Sequence, residues 1–314
     1  MKKVLLIPII IGGALVVTGG VLLAISIANY EDNNTLQTKE YTDLEFNDFQ
    51  INLSTADLEF KTSDDASKKV VVEEKEKEYH TVEVKDGTLK IDFVNNKKWY
   101  EFMDFSFKKM KVTVYMPAGE YGKNVIDVST GDVKIPNDFK FTSLDAKAST
   151  GNYTVESNVV EYININTSTG KINLNALATT KTELKASTGD ITLNKLSVTT
   201  DVKVKVSTGK VNLKDTSCAN FTSKSSTGDV TLTNSVIFHH VDVETDTGDV
   251  KFIDSDAETL KIKTDTGDVT GTLLTSKVFY VSSDTGKVDV PKSTTGGMCE
   301  VTTDTGDVKL SIKA

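Results

Sequence analysis

From Val125 onward, apolar and polar residues alternate in short blocks on either side of a recurring glycine. Positions seven, five and three before it carry sets such as Ile163, Ile165 and Thr167, or Val202, Val204 and Val206. Positions two and four after it carry pairs such as Ile172 and Leu174, or Val250 and Phe252. A period of two on both sides of a fixed break predicts two strands that turn at the glycine and share one inward face. The intervening Lys, Asp, Asn, Thr and Glu residues are expected to face water.

The unit is clearest at Thr245-Asp246-Thr247-Gly248-Asp249-Val250-Lys251. Its glycine recurs at Gly131, Gly151, Gly170, Gly189, Gly209, Gly228, Gly248, Gly267, Gly286 and Gly306, always 19 or 20 residues apart. A fixed period of this length marks a solenoid, in which each coil buries its apolar side only by stacking on its neighbours. Coils that run in one direction make parallel sheets, and such crossovers are right-handed. Residues 125–314 are therefore predicted to form an all-β, single-stranded, parallel, right-handed β-solenoid of ten coils. At about 4.8 Å per coil it would be roughly 45–50 Å long. Inward Ala146, Ala148, Ala186, Ser223 and Ser225 predict a narrow core.

Residues 41–124 are strand-like but irregular. Ser54-Thr55-Ala56-Asp57-Leu58-Glu59-Phe60 is an imperfect copy of the unit, with alanine where glycine belongs, and Asp86-Gly87 predicts a hairpin turn. This section reads as an N-terminal β cap, which an open first coil needs. At the other end the chain stops directly after Lys309-Leu310-Ser311-Ile312-Lys313-Ala314. That predicts an open C-terminal sheet edge, either guarded by Lys309 and Lys313 or available for self-association or a partner strand.

Before the cap, residues 1–3 carry two lysines, and residues 4–28 hold no charge. That run is long enough to cross a bilayer as a helix. Lys2 and Lys3 on one side and Glu31 and Asp32 on the other predict a single-pass anchor in a bacterial cell membrane, with a cytoplasmic N-terminus and an extracytoplasmic domain. The competing reading is a signal peptide cleaved after Ser26-Ile27-Ala28. Gly12-Gly13 and Gly19-Gly20 share one helical face and would let two anchors pack. Residues 29–40 are read as a polar linker.

Charge narrows the function classes. Lysine supplies all 36 basic residues, and 45 acidic ones leave a net charge of −9. Without arginine, and with an acidic balance, nucleic acid is not expected as a partner. Cys218 and Cys299 lie four coils apart in sequence, roughly 19 Å, too far for a disulfide. Asp-Thr-Gly, a signature of aspartic protease loops, here alternates with Ser-Thr-Gly at one corner, so it serves the coil rather than catalysis. Asp246, Asp265, Asp284 and Asp304 are expected to stack on one edge, where Ca²⁺ would relieve their repulsion; the alternative is solvated, turn-forming aspartates. His80, His239 and His240 show no metal-ligand spacing, and adjacent histidines on a strand are expected on opposite faces. No cofactor is expected, and an unbroken repeat leaves little chain with which to wall a pocket.

Lys97 to Lys109 is the aromatic-dense stretch and holds the sole tryptophan. Trp99, Tyr100, Phe102, Phe105 and Phe107 are candidates for stacking on sugar rings or resting against lipid headgroups if exposed, and for covering the first coil if buried.

The Ser-x-Ala-Asp-Leu-x-Phe opening at Ser54 to Phe60, the Val-x-Val-Tyr-Met-Pro strand at Val112 to Pro117 and the tandem Ser/Asp-Thr-Gly-Asp-Val coils together resemble the bacterial "putative adhesin" family of β-strand-repeat proteins. The resemblance covers residues 41–314. It implies the architecture and, in relatives, one N-terminal membrane helix, but carries over no catalytic or binding residue. Three functions follow as expectations. The first is a non-enzymatic, membrane-anchored rod that binds a protein or glycan of the envelope or a host surface. The second is an envelope-stress accessory acting with a membrane partner, and the third a glycan-active β-helix enzyme.

Overall fold

A computed structural model describes residues 35–98 and 108–313. The run 4–28 and the stretch from Trp99 to Phe107 lie outside the described residues. Among the described residues no helix is long and apolar enough to cross a membrane.

The first strands are β1 (Gln37–Tyr41), β2 (Asp48–Thr62), β3 (Lys69–Glu74), β4 (Glu78–Lys85), β5 (Thr88–Asn95), β6 (Met110–Met116), β7 (Gly119–Thr130) and β8 (Val133–Ile135). The imperfect copy inside β2 is a true coil. Its first half pairs in parallel with β7, and its second half with β8. On the other side of β2 lie β5 and β6, also parallel. Beyond them the direction reverses. β4 pairs antiparallel with β5 through a turn at Asp86 and Gly87, both at positive φ, while β3 pairs antiparallel with β6, and β1 with β3. These antiparallel strands close the N-terminal end.

From β7 onward each coil has a long strand before its glycine and a short one after it, and as far as the Gly267 coil each stacks in parallel on the last. The inward positions read from the sequence are buried: Ile163, Ile165, Thr167, Ile172 and Leu174 are at most 1% exposed. Ala146 and Ser223 occupy the same inward rows and are fully buried, which brings the two walls close together. At the N-terminal end the core widens into edge-on packing of Phe49, Phe60, Tyr121 and Phe141, with centroids 5.7–6.1 Å apart.

A second corner, not anticipated from the sequence, follows the short strand. Ala176, Lys195, Asp215, Asn234 and Asp254 all adopt φ near +50° there. Asn and Asp tolerate this conformation, but Ala and Lys do not advertise it.

The order of levels departs from chain order at the far end. The strand Gly297–Thr305 pairs on one side with Asp256–Thr266 and on the other with Lys277–Thr285. The short strands follow suit: Val308–Ile312 lies between Val269–Leu273 and Val288–Asp289. The Gly306 coil is thus inserted below the Gly286 coil. This corrects the expected C-terminal edge: the last strand of the chain is interior to the stack, and the open edge belongs to residues 277–289. Lys313 does not guard an edge but pairs with Asp254 at 2.7 Å. Cys218 and Cys299 come to lie three levels apart rather than four, roughly 14 Å. Both are free thiols, and burial pushes each thiol up to about 12.

Candidate binding surface

The corner column was the first candidate. At every corner but that of Gly286, in the outermost coil, the glycine N–H donates to the carbonyl of the threonine one coil along, as from Gly131 to Thr150 and Gly170 to Thr188, both at 2.9 Å. Inside the corner, the hydroxyls of Thr264 and Thr303 donate to the carbonyls of Gly248 and Gly267.

The residue after the glycine joins each coil to the next. The Asp57 carboxylate accepts the Asp132 N–H at 2.9 Å, and Asp132 accepts that of Asn152 at 2.9 Å. Further along, Asp249 accepts from Asp268 at 2.9 Å, Asp268 from Asp307 at 2.7 Å, and Asp307 from Lys287 at 2.8 Å. The lysines that interrupt this column neutralise it: Lys171 lies 3.0 Å from Asp190, and Lys210 2.9 Å from Asp229. The Lys210 N–H and then the Lys171 ammonium hold the Asp190 carboxyl below its usual range. Aspartate here is a main-chain acceptor, chosen for the coil it joins.

The four aspartates considered for Ca²⁺ stack in the order Asp246, Asp265, Asp304, Asp284, because the Gly306 coil is inserted. Asp265 also faces Lys263 at 3.4 Å. Among the described residues no three His, Cys, Asp or Glu side chains are grouped to hold a metal ion. His239 and His240 do not take opposite faces. The strand slips register between Ile237 and His240, so both rings are exposed, His239 beside Glu258 at 3.5 Å.

A concave surface lies elsewhere, on the outer face of the short strands near the N-terminal end. Two adjoining open grooves of about 430 and 640 Å³ share Glu59, Lys134 and Thr154. Asp57, Lys111, Asp132, Asn152 and Lys171 line the larger, and Lys61, Asp138 and Glu156 the smaller. Partial burial works against the Glu59 carboxylate, but Lys111 at 2.7 Å and Lys61 at 3.3 Å hold it below its ordinary range. The walls thus offer hydrogen-bond donors and acceptors of both signs, set among apolar surface that includes Leu58, Val133 and Pro136.

This groove abuts the aromatic stretch in the chain. Lys109 reaches Asp57 at 3.5 Å, and Lys111 is in the groove wall. Trp99, Tyr100, Phe102, Phe105 and Phe107 themselves lie outside the described residues, in the connection from β5 to β6. In every regular coil a two-residue glycine corner makes that connection. Sequence reasoning found the aromatics but missed the groove. Its signal was the charge at outward positions of the imperfect copy, Asp57, Glu59 and Lys61.

A buried pair lies in the cap. His80, 1% exposed, points Nδ1 at Glu74 Oε2 at 3.3 Å, and the same oxygen accepts the His80 N–H at 2.6 Å. The other Glu74 oxygen meets Lys39 at 2.8 Å.

The Toastrack family model (DUF4097) matches residues 46–219 and 198–314. Among solved structures, a putative adhesin from Parabacteroides distasonis is similar at TM-score 0.50 and 14% identity, over 88% of this chain and 98% of that one. A putative adhesin from Parabacteroides merdae is similar at TM-score 0.47 and 14% identity, over 88% and 97%. A third, from Bacteroides fragilis, is similar at TM-score 0.42 and 15% identity, over 89% and 97%. No protein of curated function matches the chain.

Proposed function

Because the chain belongs to the Toastrack family (DUF4097), we propose that it is a non-enzymatic, adhesin-like rod whose binding surface is the groove on the N-terminal coils together with the Trp99–Phe107 stretch. The observation that carries this reading is the adjacency of the two in the chain. A polar wall of mixed charge runs directly into the sequence that holds the aromatic-dense stretch. Sugar rings need that combination, with hydroxyls bonding to Lys, Asp and Asn and the ring face stacking on an aromatic side chain. A glycan of the bacterial envelope or of a host surface is therefore the favoured ligand class.

Location belongs to the same proposal. Residues 4–28 anchor the chain in the bacterial membrane with the domain outside. β1 begins at Gln37, shortly after that run, and belongs to the closed end of the rod. The groove then faces the cell's own envelope. That placement favours, as a second reading, an envelope-stress accessory that meets a membrane partner.

Co-sedimentation of the purified chain with isolated cell wall, anionic liposomes and host-type glycoprotein surfaces tests both. Retention on wall or glycoprotein, lost at least tenfold in Trp99→Ala and Lys134→Ala variants that keep the wild-type melting curve, supports the glycan surface. Retention on no surface, with a membrane protein recovered by cross-linking in cells, moves the function to the second reading.

A further inference from the structure

The two ends of the stack are unlike. At the N-terminal end, antiparallel β1, β3 and β4 close the coil. At the other end, among the described residues, Lys277–Thr285 pairs on one side only, with Gly297–Thr305, and Val288–Asp289 only with Val308–Ile312. No described residue covers the inward side of this outer coil. Phe279, Val281, Ser283 and Val290 are half-buried and Val288 is 47% exposed, whereas Cys299, Val301 and Val308, at the same positions one level below, are fully buried.

We propose that this end is the contact surface for a second copy of the chain, two rods meeting coil to coil about a two-fold axis. A two-fold sets identical edge strands antiparallel, so their unpaired N–H and C=O groups satisfy each other, and it keeps inward residues inward, so the two cores become continuous. The two-fold contact is isologous, so it closes as a dimer and does not propagate, whereas head-to-tail stacking on the antiparallel strands of the N-terminal cap would build polymers.

Charge favours a copy of itself. The exposed charges of this coil are Lys287 and Lys292 against Asp284 and Asp289, an even balance in a chain of net charge −9. A two-fold through Val288 sets Lys287 of one rod opposite Asp289 of the other, twice. The charged inward residue, Lys277, is occupied within its own chain. Its ammonium meets Asp256 at 2.8 Å with 1% of the side chain exposed, so it does not repel a mate.

The test is sedimentation equilibrium of the full chain in non-ionic detergent. The wild type is expected at dimer mass. Val281→Lys, which places an inward charge on the edge, is expected at monomer mass with dimerisation weakened at least tenfold and an unchanged circular dichroism spectrum. Independently, Val288→Cys is expected to give a disulfide-linked dimer on oxidation, while the wild type, whose cysteines are buried, does not. A monomeric wild type, polymers beyond the dimer, a dimer that survives Val281→Lys, or a Val288→Cys chain that fails to cross-link would each overturn the proposal.

Discussion

A methyl group added at Gly209 would sit 2.1 Å from the carbonyl oxygen of Gly189, and the residue holds φ +147°. Neither the contact nor the dihedral suits an L side chain, and the atom in the way is main chain that neighbouring coils fix. Gly209→Ala is therefore expected to cost about 3 kcal/mol or more, read as a lower urea midpoint. Thr208→Ala, at the exposed neighbour, should change stability by no more than about 0.5 kcal/mol. His80 carries a pH-dependent contribution. Burial drives its ring pKa below 6.5, outweighing the attraction of Glu74. The unfolded chain then takes up a proton at pH values where the folded chain does not, so stability is full above about pH 6.5 and falls as pH drops below it. Thermal midpoints at pH 7.5, 6.0 and 5.0 should show this loss in the wild type, and His80→Gln should flatten it. A profile unchanged by the substitution would assign the slope to other groups.

At the scale of the strand, a buried ion pair spans the level that is out of order. Lys277 and Asp256 belong to strands separated by the inserted one, and Thr275 donates to the other Asp256 oxygen at 2.6 Å. The inserted chain passes at Gly296 and Gly297, where a Cβ would meet the carbonyls of Ser276 and Glu258 at 1.9 and 1.7 Å. Lys277→Met leaves a buried carboxylate without its cation, which costs about 3–5 kcal/mol. The loss should be local: hydrogen exchange in 277–289 accelerates while 202–213 keeps its protection. Much of the fold was legible, because the two-residue alternation around each glycine fixed which side chains of the Gly170 or Gly209 coil point inward. The level order was not, because every coil offers the same inward pattern, and Val281 fits on Val301 as well as on Ile262. The second corner was hidden for another reason: Ala176 and Lys195 adopt its left-handed conformation without a glycine to announce it. Of the candidate site, the aromatic stretch stood out in the sequence. The groove did not, since Glu59 and Lys134 come together only through stacking of β2 on β8.

For the whole molecule, a shared register makes coils exchangeable, and this has a thermodynamic consequence. Each coil contacts only its neighbours, so the rod's stability is close to a sum of coil and interface contributions. Removing residues 297–314 deletes an interior level, which in a globular domain would destroy the core. Here the coil of residues 277–289 can descend one level, because Phe279, Val281 and Val288 occupy the inward rows that match Leu260, Ile262 and Val269 below. The truncated chain is expected to remain folded, with the amides of Leu260–Thr266 still protected in hydrogen exchange and the urea midpoint reduced only by the loss of one coil. Rapid exchange of those amides would mean instead that the inserted strand is the keystone of that end, and that the levels are not interchangeable.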